Sequence, residues 1–286
     1  MPSALITGTS TGIGYETSLA FARAGYRTLA TMRNLAKAEP LRAAAEREGL
    51  PVELLALDVT ETDSVARLMA GLETPDVLVN NAGIGGAAPL ERVPEADHRA
   101  IFETNYFGAV RMMQAVLPGM RERESGHIVN VSSGAGRYAT PNQVPYAASK
   151  HALEAASEAL AHEMAPFGVH VTIIEPGVIQ TAVFENSAAM TYFDKKSPYV
   201  DLMRRSGKLY KAGLQNPGLP EDVASRIVEA VQSERPPLRV IVGEDARKLI
   251  EGRRSVSDEE FVALGGKLSD EEFAKRFKQI FGIELR

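Results

Sequence analysis

A tyrosine and a lysine stand four residues apart in the segment PYAASKHALE, as Tyr146 and Lys150. The alanine, leucine and glutamate residues of this segment favour a helix, and Pro145 suits a first helical position. Because residues i and i+4 lie on one helix face, the phenol and the ammonium are expected side by side. A nearby cation favours the phenolate and lowers the pKa of a tyrosine, which is ordinarily about 10. Tyr146 is therefore a candidate general acid and base.

Lowering the pKa of Tyr146 to about 7 requires roughly 4 kcal/mol of differential interaction. One exposed lysine in water supplies too little, whereas a partly buried site with a second cationic group nearby supplies more. Taken alone, the pair is better explained as an ordinary contact on a helix surface. The motifs elsewhere in the chain decide between these two interpretations.

Three glycines, Gly8, Gly12 and Gly14, follow an apolar run and precede an amphipathic helical pattern in LITGTSTGIGYETSLAFARAG. Glycine allows the backbone to turn sharply and to approach a phosphate closely, and a helix N-terminus attracts negative charge. The spacing G-x-x-x-G-x-G differs from the dinucleotide fingerprint G-x-G-x-x-G. The cluster therefore indicates a phosphate-binding loop of a different spacing.

Short β-rich runs alternate with longer helical patterns along the chain. The predicted strands are Ala4–Thr7, Thr28–Thr31, Val52–Leu57, Val77–Asn80, His127–Ser132, Val169–Ile174 and Arg239–Val242. The predicted helices are Tyr15–Ala24, Leu35–Glu48, Thr62–Leu72, Glu95–Arg123, Pro145–Ala165 and Glu221–Ser233. Several strands are apolar on both faces, as in a parallel sheet covered by helices. This order predicts a doubly wound α/β fold with a seven-stranded parallel sheet and helices on both faces.

Composition excludes several classes of function. The 286 residues carry a net charge of −5, from 32 basic and 37 acidic side chains, so nothing suggests a nucleic-acid or membrane partner. The chain has no cysteine, and its five histidines lack metal-ligand spacing, so no metal site is expected. No apolar run reaches 18 residues and no signal peptide precedes the glycine loop, which predicts a cytoplasmic protein.

We expect one catalytic domain spanning residues 1–286, since no linker rich in Gly, Ser or Pro divides the chain. Two regions interrupt the alternating pattern: an irregular insert at about 182–220 and a C-terminal extension at about 244–286. The extension contains SDEEF twice, at Ser257–Phe261 and Ser269–Phe273, and each is a capping-box signature that predicts a short helix.

Seven motifs together resemble the short-chain dehydrogenase/reductase family. They occur in the family's order between about Ser3 and Thr181, and Ser133 precedes Tyr146 by the thirteen residues that the family pattern requires. The motifs are TGTSTGIG at Thr7–Gly14, LDVT at Leu57–Thr60, NNAG at Asn80–Gly83, the asparagine of ETNYFG at Asn105, IVNVSS at Ile128–Ser133, YAASK at Tyr146–Lys150 and PGVIQT at Pro176–Thr181.

The resemblance implies hydride transfer between a nicotinamide ring and a carbonyl carbon. It assigns proton transfer to Tyr146, stabilisation of the oxygen to Ser133, ribose binding and pKa lowering to Lys150, and a proton-relaying water to Asn105. A cationic nicotinamide would add to the lowering of the Tyr146 pKa. The implied cofactor contacts are Gly8, Thr9, Ser10, Thr11, Gly12, Ile13, Gly14, Arg33, Asp58, Val59, Asn81, Ala82, Gly83, Tyr146, Lys150, Pro176, Gly177, Val178 and Thr181.

The end of the second strand predicts which cofactor is used. NAD-binding versions of this architecture place an acidic residue there, about twenty residues past the glycine loop, to bind the ribose 2′-hydroxyl. Met32 occupies that place, and no acidic residue occurs between Glu16 and Glu39. Arg33 follows, and a guanidinium can grip a 2′-phosphate through two hydrogen bonds. We therefore expect NADP(H) to be preferred over NAD(H), and reduction to be the direction in the cell.

Two other functions remain as alternatives: a sugar-nucleotide epimerase or dehydratase, and a cofactor-binding regulator without catalysis. The first usually has a G-x-x-G-x-x-G loop and a larger C-terminal domain, and the second tends to lose a catalytic residue. None of these features occurs here. ATMRN at the second strand and the C-terminal extension look like the hydroxysteroid and retinol dehydrogenase branch of the family. Turnover of a carbonyl substrate would exclude the regulator.

The insert predicts the character of the substrate. Its apolar and aromatic residues suit a lipophilic ketone or secondary alcohol, although they also suit attachment of the loop to the domain. They are Val183, Phe184, Met190, Tyr192, Phe193, Tyr199, Leu202, Met203 and Tyr210. Tyr138 either lines the substrate mouth or packs in the core.

The helix that follows Tyr146 has small and apolar residues on more than one face, which predicts a homodimer or homotetramer through that helix. The residues concerned are Ala147, Ala148, Ala152, Leu153, Ala155, Ala156, Ala159 and Leu160.

Overall fold

Seven strands pair in parallel to form a single sheet in the described part of the chain. They are β1 (Ser3–Thr7), β2 (Arg27–Met32), β3 (Val52–Ala56), β4 (Val77–Asn80), β5 (Gly126–Val131), β6 (Val169–Pro176) and β7 (Arg239–Val242). Their order across the sheet is β3-β2-β1-β4-β5-β6-β7. The computed structural model describes residues 1–181, 190–192 and 194–285. The strand predictions are confirmed, each bound lying within two residues of the observed one.

Helices cover both faces of the sheet. They are α1 (Gly12–Arg23), α2 (Glu39–Glu48), α3 (Thr62–Ala70), α4 (Glu95–Phe102), α5 (Gly108–Glu122), α6 (Val144–Met164), α7 (Val200–Gly213), α8 (Pro220–Gln232), α9 (Glu244–Arg254), α10 (Asp258–Ala263) and α11 (Asp270–Phe281). This arrangement confirms the predicted doubly wound α/β fold.

Alternation along the central strand explains why both faces are buried. Leu5 packs on one side with Leu78, Met112 and Ile128. Ile6, the next residue, packs on the other side with α1 and α8 residues such as Phe21. Successive side chains of a strand point to opposite faces, so a strand with helices on both sides is apolar at consecutive positions.

The strand order reverses direction beside β1, and this reversal positions the site. β1 pairs with β2 on one side and with β4 on the other. The connections that follow β1 and β4 therefore diverge to opposite faces and leave a crevice at the carboxyl ends of these strands. Open α/β sheets bind their ligands in such a crevice.

Two sequence predictions need correction. The single helix predicted at Glu95–Arg123 is α4 and α5 joined by a π-helical segment at Glu103–Phe107, which contains Asn105. The insert predicted to be irregular contains the fourteen-residue helix α7. Helix α7 carries Gly207 in its interior, which lowers its helix propensity.

Parallel bridges attach both ends of the insert to the domain. Ala87 pairs with Thr191 near the start, and Ile179 pairs with Gly218 near the end. The described part of the insert is therefore attached to the domain near both of its ends.

Both predicted capping boxes of the C-terminal extension are present. Ser257 accepts from the backbone N–H of Glu260, and Ser269 accepts from that of Glu272. The reciprocal bonds from Ser257 N and Ser269 N to the glutamate carboxylates are 3.0 and 2.9 Å long. Helix α11 then packs Phe277 and Phe281 into an apolar cluster that also contains Tyr138.

Within the described ranges, every helix is too short or too polar to cross a lipid bilayer.

Candidate active site

A cleft of about 1240 Å³ opens over the carboxyl ends of β1, β4, β5 and β6. All the predicted cofactor contacts except Thr9 and Gly14 line it, and so do Ser133, Tyr146 and Lys150. Asn105 does not line the cleft. The tertiary structure thus brings residues from six separate motifs to one surface.

The glycine loop has the backbone conformation that its glycines allow. Gly8 and Gly12 have φ values of +72° and +62°, a region that other residues rarely adopt. A Cβ atom on Gly14 would lie 2.4 Å from the carbonyl oxygen of Gly8, so the loop and α1 could not approach as closely. Thr9 is fully buried and bonds to the carbonyl of Thr31, which makes it a support of the loop.

The start of α1 suits an anionic ligand. Thr11 occupies the N-cap position, and its side chain makes no capping hydrogen bond. The first N–H groups of a helix otherwise lack partners and attract phosphate. Ser10 and Thr11 line the cleft at this point.

The NNAG turn after β4 is fastened to the glycine loop. Asn81 Nδ2 donates to the carbonyl oxygens of Thr7 and Gly8 at 2.9 and 3.0 Å. The backbone N–H groups of Asn81 and Ala82 each donate to Thr7 Oγ1 at 3.0 Å. The side chain of Asn81 therefore fastens the turn to the glycine loop, and Asn81, Ala82 and Gly83 line the cleft.

Two exposed basic residues line the far end of the cleft. Arg33 comes directly after β2, and Lys37 is the last residue of the short 3-10 helix that begins at Leu35. The sequence analysis missed Lys37, because its proximity to Arg33 depends on that turn. Asp58, at the same end, accepts from Thr60 N at 3.0 Å and Thr60 Oγ1 at 2.7 Å, which fixes the LDVT turn.

The turn after β6 closes the opposite wall. Val178 N donates to Asp245 Oδ2 at 2.7 Å, and a Cβ on Gly177 would lie 2.0 Å from Asp245 Oδ1. Thr181 contacts the glycine loop, since a Cβ on Gly12 would lie 2.9 Å from its Cγ2. Asp245 belongs to α9, beyond the family motifs, so no sequence signal identified it. The narrow glycine cradle, the helix N-terminus and the basic far end together fit a nicotinamide dinucleotide.

Lys150 is buried beneath Tyr146. Its Nζ atom donates to the carbonyl of Val131 at 2.8 Å and lies 5.9 Å from the centre of the Tyr146 ring. Ser133 follows β5, and its Oγ atom accepts from Ala135 N at 3.1 Å. Helix α6 and the end of β5 therefore hold the three side chains against one wall of the cleft.

Burial has the largest effect on the pKa values of Tyr146 and Lys150. It raises the pKa of Tyr146, while the neighbouring Ser133 hydroxyl lowers it. It also lowers the pKa of Lys150 to about 8, against the opposing charge of Glu154. The net pKa of Tyr146 is therefore raised in the free protein, because desolvation disfavours the phenolate more than the Ser133 hydroxyl favours it. The lowering of this pKa by Lys150 stays a prediction.

Asn105 supports the site from behind. Its Oδ1 accepts from Ile84 N at 2.8 Å, and its Nδ2 donates to Ile84 O and Ser149 Oγ at 2.9 and 3.0 Å. Ser149 in turn donates to Tyr146 O at 2.8 Å. The asparagine therefore joins the π-helical segment, the β4 turn and α6. Its role in a water relay stays a prediction.

The other half of the cleft is mainly apolar. Of the insert residues predicted to face a substrate, Met203 and Tyr210 line it; Met190, Tyr192, Tyr199 and Leu202 do not, and Val183, Phe184 and Phe193 lie outside the described residues. The sequence analysis missed Ile84, Leu209, Leu249 and Ile283, which come from four separate segments. Tyr138 lines the cleft and also packs against Phe261 and Phe281, so its predicted packing role is confirmed, and its place at a substrate mouth stays a prediction.

Among the described residues, no three His, Asp or Glu side chains are grouped so as to hold a metal ion.

Known proteins share both the sequence pattern and the architecture. A family model described as short chain dehydrogenase matches residues 2–191. Human retinol dehydrogenase 8 is 41% identical over 250 residues, covering 82% of this chain and 79% of that protein. Rattus norvegicus estradiol 17-beta-dehydrogenase 1 is 36% identical over 248 residues, covering 82% and 72%.

A short-chain dehydrogenase from Streptomyces avermitilis has a similar crystal structure. Its TM-score is 0.80 at 35% identity, over 92% of this chain and 98% of that chain. The family's fold binds nicotinamide cofactors, and its dehydrogenases and reductases act on alcohol and carbonyl groups. The match over two thirds of the chain, together with the similar architecture of the solved structure, shows that this protein is an oxidoreductase of the short-chain dehydrogenase/reductase family.

Proposed function

We propose that this protein is an NADP(H)-dependent oxidoreductase that interconverts a lipophilic ketone or aldehyde and the corresponding alcohol. The observation that carries the proposal is the position of Tyr146, Ser133 and Lys150 on one wall of the cleft, between the glycine loop and the apolar half. A substrate oxygen beside Tyr146 and Ser133 would leave its reacting carbon facing the cofactor half.

Each of the three side chains has a distinct task in this proposal. When bound in the cleft, the reduced cofactor would supply the hydride that the carbonyl carbon accepts. The Tyr146 hydroxyl donates its proton to the oxygen on which negative charge develops. Ser133 donates a hydrogen bond to the same oxygen and holds it in place. Lys150 carries positive charge close to the phenol and favours the phenolate that remains.

Selection of NADP(H) rests on charge at the far end of the cleft. Arg33 and Lys37 are both exposed there, and neither forms an ion pair with a carboxylate in the part of the chain that is described. A 2′-phosphate would meet two cations, one of them capable of bidentate contact. Met32, at the place of the acidic residue of NAD enzymes, is buried and has no acceptor for a ribose hydroxyl.

Selection of the substrate rests on the apolar half of the cleft. Its lining comes from α7, α9 and the segment after α11, whose apolar side chains would contact a hydrocarbon skeleton. The names of the relatives, a retinol dehydrogenase and an estradiol dehydrogenase, refer to lipophilic alcohols. These features favour a substrate with little charge.

Self-association through α6 is part of the same proposal. Ala155 and Ala159 are exposed on the helix surface that does not cover the sheet. A second copy of the chain packed there would bury this small-residue face. Light scattering at micromolar concentration should give the mass of a dimer or tetramer, and a monomer only would contradict the proposal.

Turnover provides the test of function. The purified protein is mixed with NADPH or NADH and a panel of lipophilic ketones, aldehydes and charged hydroxy or keto acids. We expect oxidation of NADPH with the lipophilic carbonyls, and loss of that activity in Tyr146→Phe without loss of NADPH binding. Activity that survives in Tyr146→Phe would overturn the assignment of Tyr146.

A further inference from the structure

A second buried charge follows Lys150 one helical turn later on α6. Lys150 and Glu154 are each 5% exposed, and their i, i+4 spacing places them on one helix face. Burial lowers the pKa of Lys150, and the negative charge of Glu154 opposes that fall. The glutamate therefore acts electrostatically on the lysine beneath Tyr146.

An arginine from β7 holds the carboxylate of Glu154. Arg239 Nε lies 3.1 Å from Glu154 Oε2 and 3.3 Å from Glu175 Oε1, and Arg239 Nη2 lies 2.9 Å from Glu158 Oε2. On the far side, Arg137 Nη1 lies 3.0 Å from Glu175 Oε1. The Glu154 carboxylate is thus held by Arg239, which is itself paired with Glu158 and Glu175.

The other oxygen of Glu154 lies beside the end of β5. A Cβ on Gly136 would lie 3.3 Å from Glu154 Oε1 and 2.6 Å from Ser132 Oγ, so both oxygens lie close to that glycine. Among the described residues, Glu154 Oε1 has no partner at hydrogen-bond geometry. Ser132 directly follows Val131, whose carbonyl accepts from Lys150 Nζ. The unpaired oxygen is therefore close to the polypeptide that holds the lysine.

The charges of this group balance only when the lysine is counted. When all are ionised, the two guanidinium groups of Arg137 and Arg239 face the three carboxylates of Glu154, Glu158 and Glu175. This leaves one negative charge, which Lys150 neutralises. Burial raises the pKa of Glu154, whereas the adjacent Ser132 hydroxyl and the Arg239 guanidinium lower it.

We propose that Glu154 is a positioning residue that keeps the buried Lys150 in its cationic form, with Arg239 fixing its carboxylate. The inference rests on the proposed function, because it matters for catalysis only if Lys150 supports Tyr146. Ser132, whose Oγ atom lies beside Gly136 as Glu154 Oε1 does, belongs to the same arrangement.

Removing the negative charge of Glu154 should shift the pKa of Lys150 in a defined direction. Without the carboxylate, the neutral amine of Lys150 is less disfavoured, so the pKa of Lys150 falls. Reduction requires the protonated lysine and the protonated tyrosine. The alkaline limb of the pH profile of kcat/KM should therefore move to lower pH, by about one unit for a partly screened charge one turn away.

The test compares two isosteric variants on one helix. Glu154→Gln removes the buried carboxylate, and Glu158→Gln removes the exposed one that contacts the same arginine. We expect Glu154→Gln to move the alkaline limb down by about one pH unit and Glu158→Gln to leave it in place. Glu154→Asp, which restores the charge, should bring the limb back toward the wild-type position. Thermal unfolding of each variant identifies any that fail to fold.

A second readout does not depend on turnover. NMR of protein labelled with ¹⁵N at the lysine Nζ follows the titration of Lys150 in each variant. A fall in the Lys150 pKa in Glu154→Gln alone supports the proposal even if every carbonyl tested is inert, a result that would overturn only the proposed function. An unchanged Lys150 pKa in a folded Glu154→Gln overturns the inference, and so does an equal shift in Glu158→Gln.

Discussion

Gly14 packs directly against Gly8 and leaves no room for a side chain. A Cβ atom on Gly14 would lie 2.4 Å from the Gly8 carbonyl oxygen and 2.4 Å from Asn81 Nδ2. This contact joins the start of α1 to the glycine loop and to the turn after β4. All three segments border the proposed phosphate site, so a single methyl group here would displace all of them.

Gly14→Ala should therefore weaken both the fold and the binding of NADPH. Forcing a methyl group into a packed site costs about 1–3 kcal/mol, which thermal unfolding will measure, and fluorescence titration will measure the loss of NADPH affinity. Gly207→Ala is the matched control, because nothing lies within 4 Å of its Cβ position in α7. That change should leave NADPH binding intact and stabilise the helix by up to about 1 kcal/mol. Equal behaviour of the two variants would show that the loop tolerates a side chain.

Arg33→Ala should distinguish the two cofactors. Losing one charge-assisted contact costs about 1.5–3 kcal/mol, which is roughly ten- to hundredfold in affinity for NADPH. Affinity for NADH should barely change, because NADH lacks the 2′-phosphate. Arg42→Ala is the control, since Arg42 is an exposed arginine on α2 outside the cleft. A wild-type preference for NADH, or equal weakening of both cofactors in Arg33→Ala, would refute the assignment.

A series of methyl ketones with lengthening alkyl chains should report on the apolar half of the cleft. Each buried methylene contributes about 0.8 kcal/mol, so kcat/KM should rise roughly fourfold per added carbon until the cleft is filled. A matching series of keto acids of the same length should be poorer at every step, because a carboxylate loses its hydration there. Preference for the short, charged members would contradict the proposed substrate class.

His127 should make the fold sensitive to mild acid. Its ring lies 2.9 Å from Thr172 Oγ1 at the opposite end of β5 from the cleft, and burial, with His170 nearby, lowers its pKa from 6.5 to about 4. The unfolded chain binds this proton at higher pH than the folded chain does. Stability from this group is therefore fully present above pH 6.5 and is lost as the pH falls toward 4, by at most about 3 kcal/mol.

Unfolding of wild type and His127→Gln between pH 7 and pH 4 measures this contribution. The free energy of unfolding should fall less steeply in His127→Gln, and the exposed His162→Gln should keep the wild-type slope. Identical slopes in all three proteins would show that the buried imidazole does not control acid stability.

Local sequence patterns were sufficient to predict the sheet, the glycine loop and the pairing of Tyr146 with Lys150. Each depends on residues close in sequence: apolar runs make buried strands, a strand-glycine-helix order makes the loop, and i, i+4 spacing makes the pair. Capping boxes at Ser257 and Ser269 were predictable for the same reason, since a serine and the glutamate three residues later complete each motif without help from the rest of the chain.

Tertiary structure decided what surrounds these groups. Burial raises the pKa of Tyr146, and no spacing of residues reports how much water a fold removes from a side chain. Asp245, Leu249 and Ile283 reach the cleft from elements far along the chain, and Arg239 meets Glu154 across 85 residues. Helix α7 forms despite Gly207 because Arg205 and its neighbours pack onto α11, where Arg205 lies 4.9 Å from the ring of Phe273. Contacts of this kind depend on which elements the fold places side by side, and a linear pattern of residue types does not contain that information.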